Sequence, residues 1–155
     1  MIVYLPASVD QAVRLRAGEP LPGRRGYAAT PSLLAAAGFA PRDQEDAGYT
    51  ALSHAGVQAL LAGPTDRRLV LAADTDRVTD LADPYGAVEV ADLAWRQVWA
   101  LYYDEPEAAD AVRAAADSVR PDDTVAEALG RPEVGRLLDE HDLLWFDPTE
   151  LDRLP

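Results

Sequence analysis

The sequence contains no cysteine and no lysine; all 14 basic residues are arginine. Without thiols there is no cysteine nucleophile, no disulfide, no iron–sulfur cluster and no thiolate zinc site. Without lysine there is no P-loop lysine, no Schiff base and no lysine-dependent phosphotransfer centre. A GC-rich genome, whose codons favour Arg, Ala, Gly and Pro, is the plain account of the missing lysine. Two histidines are too few for a multi-histidine metal site within one chain. No apolar run reaches the ~18 uncharged residues of a membrane span. Met1-Ile2-Val3-Tyr4-Leu5-Pro6 has no basic n-region and too short an apolar stretch for a signal peptide, so it reads as a first strand and the cytoplasm as the default location.

Bases are also scarce: 27 acidic residues against 14 arginines give a net charge of −13. Clustered cations are what hold a phosphate backbone or an anionic bilayer, so neither nucleic acid nor membrane is an expected partner. Solubility is the ordinary role of such charge; docking on a basic partner is the sharper one. What is abundant is core material. Hydrophobic residues make up 48% of 155 positions, enough for a single domain over 1–155.

Short branched and aromatic runs predict strands at Ile2–Leu5, Gly26–Ala29, Arg68–Ala73, Ala87–Val90, Gln97–Tyr103 and Leu143–Phe146. Leu69–Ala73 is continuously apolar, as in a strand covered on both faces. Ser8 is placed to cap a helix over Val9–Ala17 that Gly18 closes, and Thr30-Pro31 opens a short helix that Gly38 ends. The longest helix is expected from about Gln44 to Leu61, with Tyr49, Leu52, Ala55, Gly56, Ala59 and Leu60 on its buried face. A stripe at Ala108, Ala109, Val112, Ala115, Ala116 and Val119 marks another over Glu105–Val119, with Asp104 and Glu107 spaced as a capping box. Its position before Leu143–Phe146 suggests a right-handed crossover. The class is α/β: a mixed sheet of about six strands with helices packed on it.

Carboxylates follow several strand ends: Asp74 and Asp76, Asp104 and Glu105, and Asp147. In open α/β sheets ligands bind at that edge, and converging acids would take Mg²⁺ or Mn²⁺. Strand-then-Asp74-Thr75-Asp76 also resembles the first motif of haloacid-dehalogenase phosphatases, but that family's later lysine is impossible here. Turn and cap roles account for each acid locally, so no metal site and no cofactor is expected. His54 falls opposite the apolar stripe of its helix and reads as a surface residue. His141 lies among acids, as a base paired with a carboxylate or a helix-end residue near carbonyls. Thr30 and Ser32 stand at a helix N-terminus after Arg24-Arg25, where free N–H groups attract anions; ordinary capping is the stronger reading. Trp95, Trp99, Tyr102, Tyr103, Trp145 and Phe146 are more aromatics than so small a core hides. Alternation puts Trp99, Leu101 and Tyr103 on one strand face and Tyr102 on the other. Trp95, Trp99, Tyr102 and Trp145 are the candidate partner-binding residues.

Val3-Tyr4-Leu5-Pro6-Ala7, Tyr27–Leu33, Glu45–Leu52, Arg67–Asp74 and His141–Phe146, in that order, resemble a family of short, acidic, uncharacterised actinobacterial proteins, a domain of unknown function. Family members more often carry Glu where this chain has Asp142. The resemblance implies an α/β fold and a bacterial cytoplasmic setting, and no functional residues. The expected function is a non-catalytic binding or regulatory module acting through a protein partner or self-association. The alternative is a small-ligand or divalent-metal-dependent enzyme using the strand-end carboxylates.

Overall fold

In the computed structural model, which describes residues 1–155, seven strands form one sheet. They are β1 (Ile2–Ala7), β2 (Arg24–Tyr27), β3 (Leu69–Asp74), β4 (Val78–Asp80), β5 (Ala87–Val90), β6 (Val98–Tyr103) and β7 (Leu144–Phe146). Their order is β4-β5-β2-β1-β3-β6-β7, and every neighbouring pair is antiparallel. The α/β class is as expected, but the sheet has seven strands rather than about six and is antiparallel rather than mixed. The expected crossover is replaced by a return: β7 lies beside β6 and runs against it, Tyr102 opposite Trp145.

Six helices accompany the sheet: α1 (Val9–Arg16), α2 (Pro31–Ala37), α3 (Gln44–Leu60), α4 (Ala109–Ser118), α5 (Val125–Leu129) and α6 (Pro132–Glu140). Their ends follow local chemistry. Ser8 accepts from the Gln11 N–H in a full capping box. Thr30 accepts from Leu33 ahead of Pro31, and Gly38 closes α2 at φ 74°, in the left-handed region a glycine enters without cost.

Two cores lie on the two sheet faces. One packs α3, α4, α5 and α6 against Tyr27, Val70 and Ala87; Val57, Val112, Val134 and Leu137 are fully buried in it. The other joins Ala12 and Leu15 of α1 and Leu151 of the 3-10 turn Pro148–Arg153 to Val3, Leu5, Leu69, Leu71 and Leu101. Covered on both sides, Leu69–Ala73 is buried throughout, although its neighbours are antiparallel. The stripe expected for α3 holds at Leu52, Ala55, Gly56 and Leu60 but not at Tyr49, which is 59% exposed.

Alternation along β6 is interrupted. Ala72 pairs with Ala100, but Ala73 pairs with Val98, leaving Trp99 as an extra residue in a bulge. Val98 and Leu101 belong to the α1-side core, whereas Trp99 stands with Tyr4 against Gly48 of α3. Trp99 therefore does not share a face with Leu101 and Tyr103, as simple alternation expects.

Candidate functional site

The strand-end acids do not converge. Asp74 is exposed at the far end of β3, 3.0 Å from the amino group of Met1, and Asp76 is exposed in the turn that follows. Asp104 lies level with the opposite end of β3, because its N–H donates to the Arg68 carbonyl just before that strand. No three His, Asp or Glu side chains in the chain group as a metal site.

Asp104 is not a helix cap either. Its carboxylate is fully buried and accepts from the Arg68 backbone N–H (2.7 Å), Nε (2.8 Å) and Nη2 (2.7 Å). Arg68 is itself 1% exposed at its side chain, and Nη2 has one further acceptor, the His141 carbonyl at 3.5 Å. The pattern Asp104…Glu107 is thus overridden by a two-pronged ion pair with a residue 36 positions earlier. The chain after it enters α4 through a 3-10 turn, Pro106–Ala108, with no side-chain cap.

Thr30 is buried and spends its hydroxyl on the Leu33 N–H; Ser32 is partly buried beside it. Both belong to the start of α2. His54 is not a free surface residue. It is partly buried between Tyr27 and Tyr85, with edge-on rings at 6.2 and 5.3 Å, and its Nδ1–H donates to the Tyr85 carbonyl at 2.8 Å. Burial lowers its pKa, against a smaller raising effect from that bond. His141 ends α6, where its N–H donates to the Leu137 carbonyl, and its Nδ1 lies 3.3 Å from Glu105.

The aromatic residues do assemble, beside α3 on the sheet face that carries α3 to α6. Tyr4 stands opposite Ala72, Ala72 opposite Ala100, and Tyr102 opposite Trp145, which places Tyr4, Tyr102 and Trp145 on one face. Ala72 and Ala100 form a floor of two small, fully buried side chains. The rings of Tyr4 and Tyr102 meet edge-on at 6.3 Å above it. At one end Trp99, turned onto this face by the bulge, walls a groove of about 540 Å³ with Met1, Ile2 and Tyr4 on the sheet and Gln44, Glu45 and Gly48 on α3. At the other, Trp145 projects from the edge strand, 53% exposed.

A model for a family of unknown function, DUF6912, matches residues 1–154. The chain belongs to that family. No curated protein and no solved structure matches it.

In this member of the family the exposed apolar residues are unevenly placed. Five of the nine large hydrophobic side chains that are exposed, Met1, Ile2, Tyr49, Trp99 and Trp145, stand on or beside the aromatic face. Tyr49, from the second turn of α3, neighbours Asp142 just ahead of β7; desolvation and then the nearby carboxylate raise its pKa. Glu45 and Asp142 supply acidic charge at the two ends. Trp95, by contrast, is partly buried in the 3-10 turn Trp95–Gln97 and packs against the α1-side core, away from this face. Tyr4, Tyr49 and the groove residues other than Trp99 had no signal beyond ordinary strand and helix patterns. Only the pairing of β1, β3, β6 and β7 brings them together. No helix of the chain is long and apolar enough to cross a membrane.

Proposed function

We propose that this protein is a non-catalytic binding module that docks a protein partner on the aromatic face running from Trp99 through Tyr4 and Tyr102 to Trp145. The observation that carries the reading is the concentration of exposed aromatic and apolar side chains on a rigid sheet with a small-residue floor. Exposed tryptophan and tyrosine are the residues that most often dominate interface energetics. The partner is a protein with a basic rim, because Glu45 and Asp142 flank the face and the chain carries net charge −13. A second copy would bring like charges together, and a nucleic acid would meet the same repulsion. A cytoplasmic setting fits a chain without cysteine.

The test is a Trp99→Ala/Trp145→Ala double variant that melts like the wild type. A partner captured by the wild type and then purified should bind the double variant at least about tenfold more weakly, and more weakly still at higher salt. Equal affinity for both proteins would overturn the reading. Sedimentation tests the other occupant: a wild-type dimer that the double substitution abolishes would replace the partner with a second copy.

A further inference from the structure

A different cleft, of about 650 Å³, opens where β1 runs into α1, β3 begins and β6 ends. Three arginines line it, Arg24, Arg25 and Arg67, against a single acid, Asp66. In a chain with 27 acids for 14 arginines, that local excess of cation stands out. Several arginines pair with carboxylates: Arg16 with Asp152, Arg68 with Asp104, Arg77 with Asp92 and Arg131 with Asp123. Arg24 and Arg67 pair with no side-chain carboxylate. Arg25 approaches Glu89 no closer than 3.9 Å, and Asp66 faces Arg113, outside the cleft, at 3.7 Å.

Arg24 donates to neutral acceptors, whereas Arg67 donates to a main-chain oxygen of the last residue. Arg24 Nη1 donates to the Pro6 carbonyl at 3.0 Å and to Gln11 Oε1 at 3.2 Å. Arg67 Nη1 donates to the Pro155 main-chain oxygen, and its guanidinium lies 5.6 Å over the Tyr103 ring. In both, Nε is buried with no acceptor. Only three buried side-chain polar atoms in the whole chain lack one, and two of them are here. A buried donor without an acceptor costs its full desolvation, and a charged one more. Burial accordingly lowers the Arg24 pKa. An anion in the cleft would balance its excess of cationic charge. Ser8 and Val9, at the N-terminus of α1, also line the cleft, and a helix start favours the same sign of charge.

We propose that this cleft binds a small organic oxyanion, with a phosphoryl or carboxylate group between Arg24 and Arg67 and the organic body against Tyr103 and Pro64. Nη2 of Arg24 and of Arg67 makes no hydrogen bond within the chain, so each guanidinium keeps a charged donor for the ligand.

The experiment is calorimetric titration of the full chain with phenyl phosphate and with benzoate, beside a sodium chloride control of equal ionic strength. Wild type should bind at least one of them saturably at one site, and which binds more tightly assigns the phosphoryl or the carboxylate group. Arg24→Met and Arg67→Met should each weaken that binding by about tenfold or more, and Arg24→Met, which removes no ion pair, should leave the ligand-free melting temperature unchanged or higher. Should a methionine variant fail to fold, Arg67→Lys keeps charge and stem and removes the fork, and it should still weaken binding. No saturable binding beyond the chloride control, or binding that none of the variants alters, would overturn the proposal. The Trp99→Ala/Trp145→Ala protein should bind these anions as the wild type does, so the two surfaces succeed or fail independently.

Discussion

Replacing Asp104 by alanine leaves the Arg68 guanidinium sealed in the protein with one long contact, to the His141 carbonyl. Removing one partner of a buried ion pair costs about 3–5 kcal/mol, because the remaining charge keeps its desolvation penalty and loses its compensation. Against a total stability of about 5–15 kcal/mol that is a large share. At roughly 2–4 °C per kcal/mol for a chain this long, the melting temperature should fall by roughly 6–20 °C. Asp104→Asn is the decisive companion. The side-chain amide has one acceptor and one donor to set against a fork of N–H groups, so it should cost nearly as much as alanine. A helix cap would behave otherwise, losing about 0.5–2 kcal/mol in alanine and little in asparagine. The double variant Arg68→Met/Asp104→Leu removes both charges and should be more stable than either single change. Urea melts followed by circular dichroism and tryptophan fluorescence give these values, with Arg68→Met and Asp104→Leu alone completing the cycle. An Asp104→Asn protein within about 1 kcal/mol of wild type, or additive single changes, would refute this account of the pair.

Two further predictions rest on the fold. His54 has a lowered pKa in the folded chain, so the fold prefers its neutral form: the stability it contributes is complete above the ordinary value of 6.5 and is lost as pH falls below it, toward the folded-state pKa. The stability difference between wild type and His54→Gln should therefore shrink in wild type's disfavour from pH 7 to pH 5, and a pH-independent difference would contradict it. Gly86 stands at φ 85° with the Ala28 carbonyl oxygen 2.5 Å from where a Cβ would go. Gly86→Ala should thus cost at least about 2 kcal/mol, measured by the same melts, and a neutral result would mean that the turn before β5 relaxes freely.

Much of the fold was legible because its signals are local. The Thr30-Pro31…Gly38 frame fixes both ends of α2, and the unbroken apolar run at Leu69–Ala73 marks a doubly covered strand. What was not legible depends on partners distant in sequence. β4 is three residues, Val78–Asp80, and exists only because β5 offers a ladder. Asp104 looked like a cap because its short-range pattern is good, and the stronger acceptor role comes from Arg68. The antiparallel placement of β7 is decided by three helices between β6 and β7 that return the chain to the neighbouring position, which no periodicity encodes. The site divides the same way. Trp99, Tyr102 and Trp145 were identifiable as surplus aromatics, but their common face required the bulge and the ladder. Thr30 and Ser32 drew attention to the segment after Arg24-Arg25, while the anion-seeking geometry lies with the arginines themselves, beside α1 rather than α2.

The position of β1 has a consequence for how quickly the chain can find its structure. This strand, read first in the sequence, occupies the middle of the finished sheet, flanked by β2 and β3. Its longest ladder joins Ile2 to Asp74 and Ala7 to Leu69, so nearly half the polypeptide must be present before it closes. Until then a newly made β1 offers two open edges, with Val3 and Leu5 seeking cover. Closing so wide a loop before any pairing rewards it places the chain among slower folders, in the millisecond-to-second range typical of non-local sheets. The segment spanning α1 to α3 acts meanwhile as the tether whose length sets that delay.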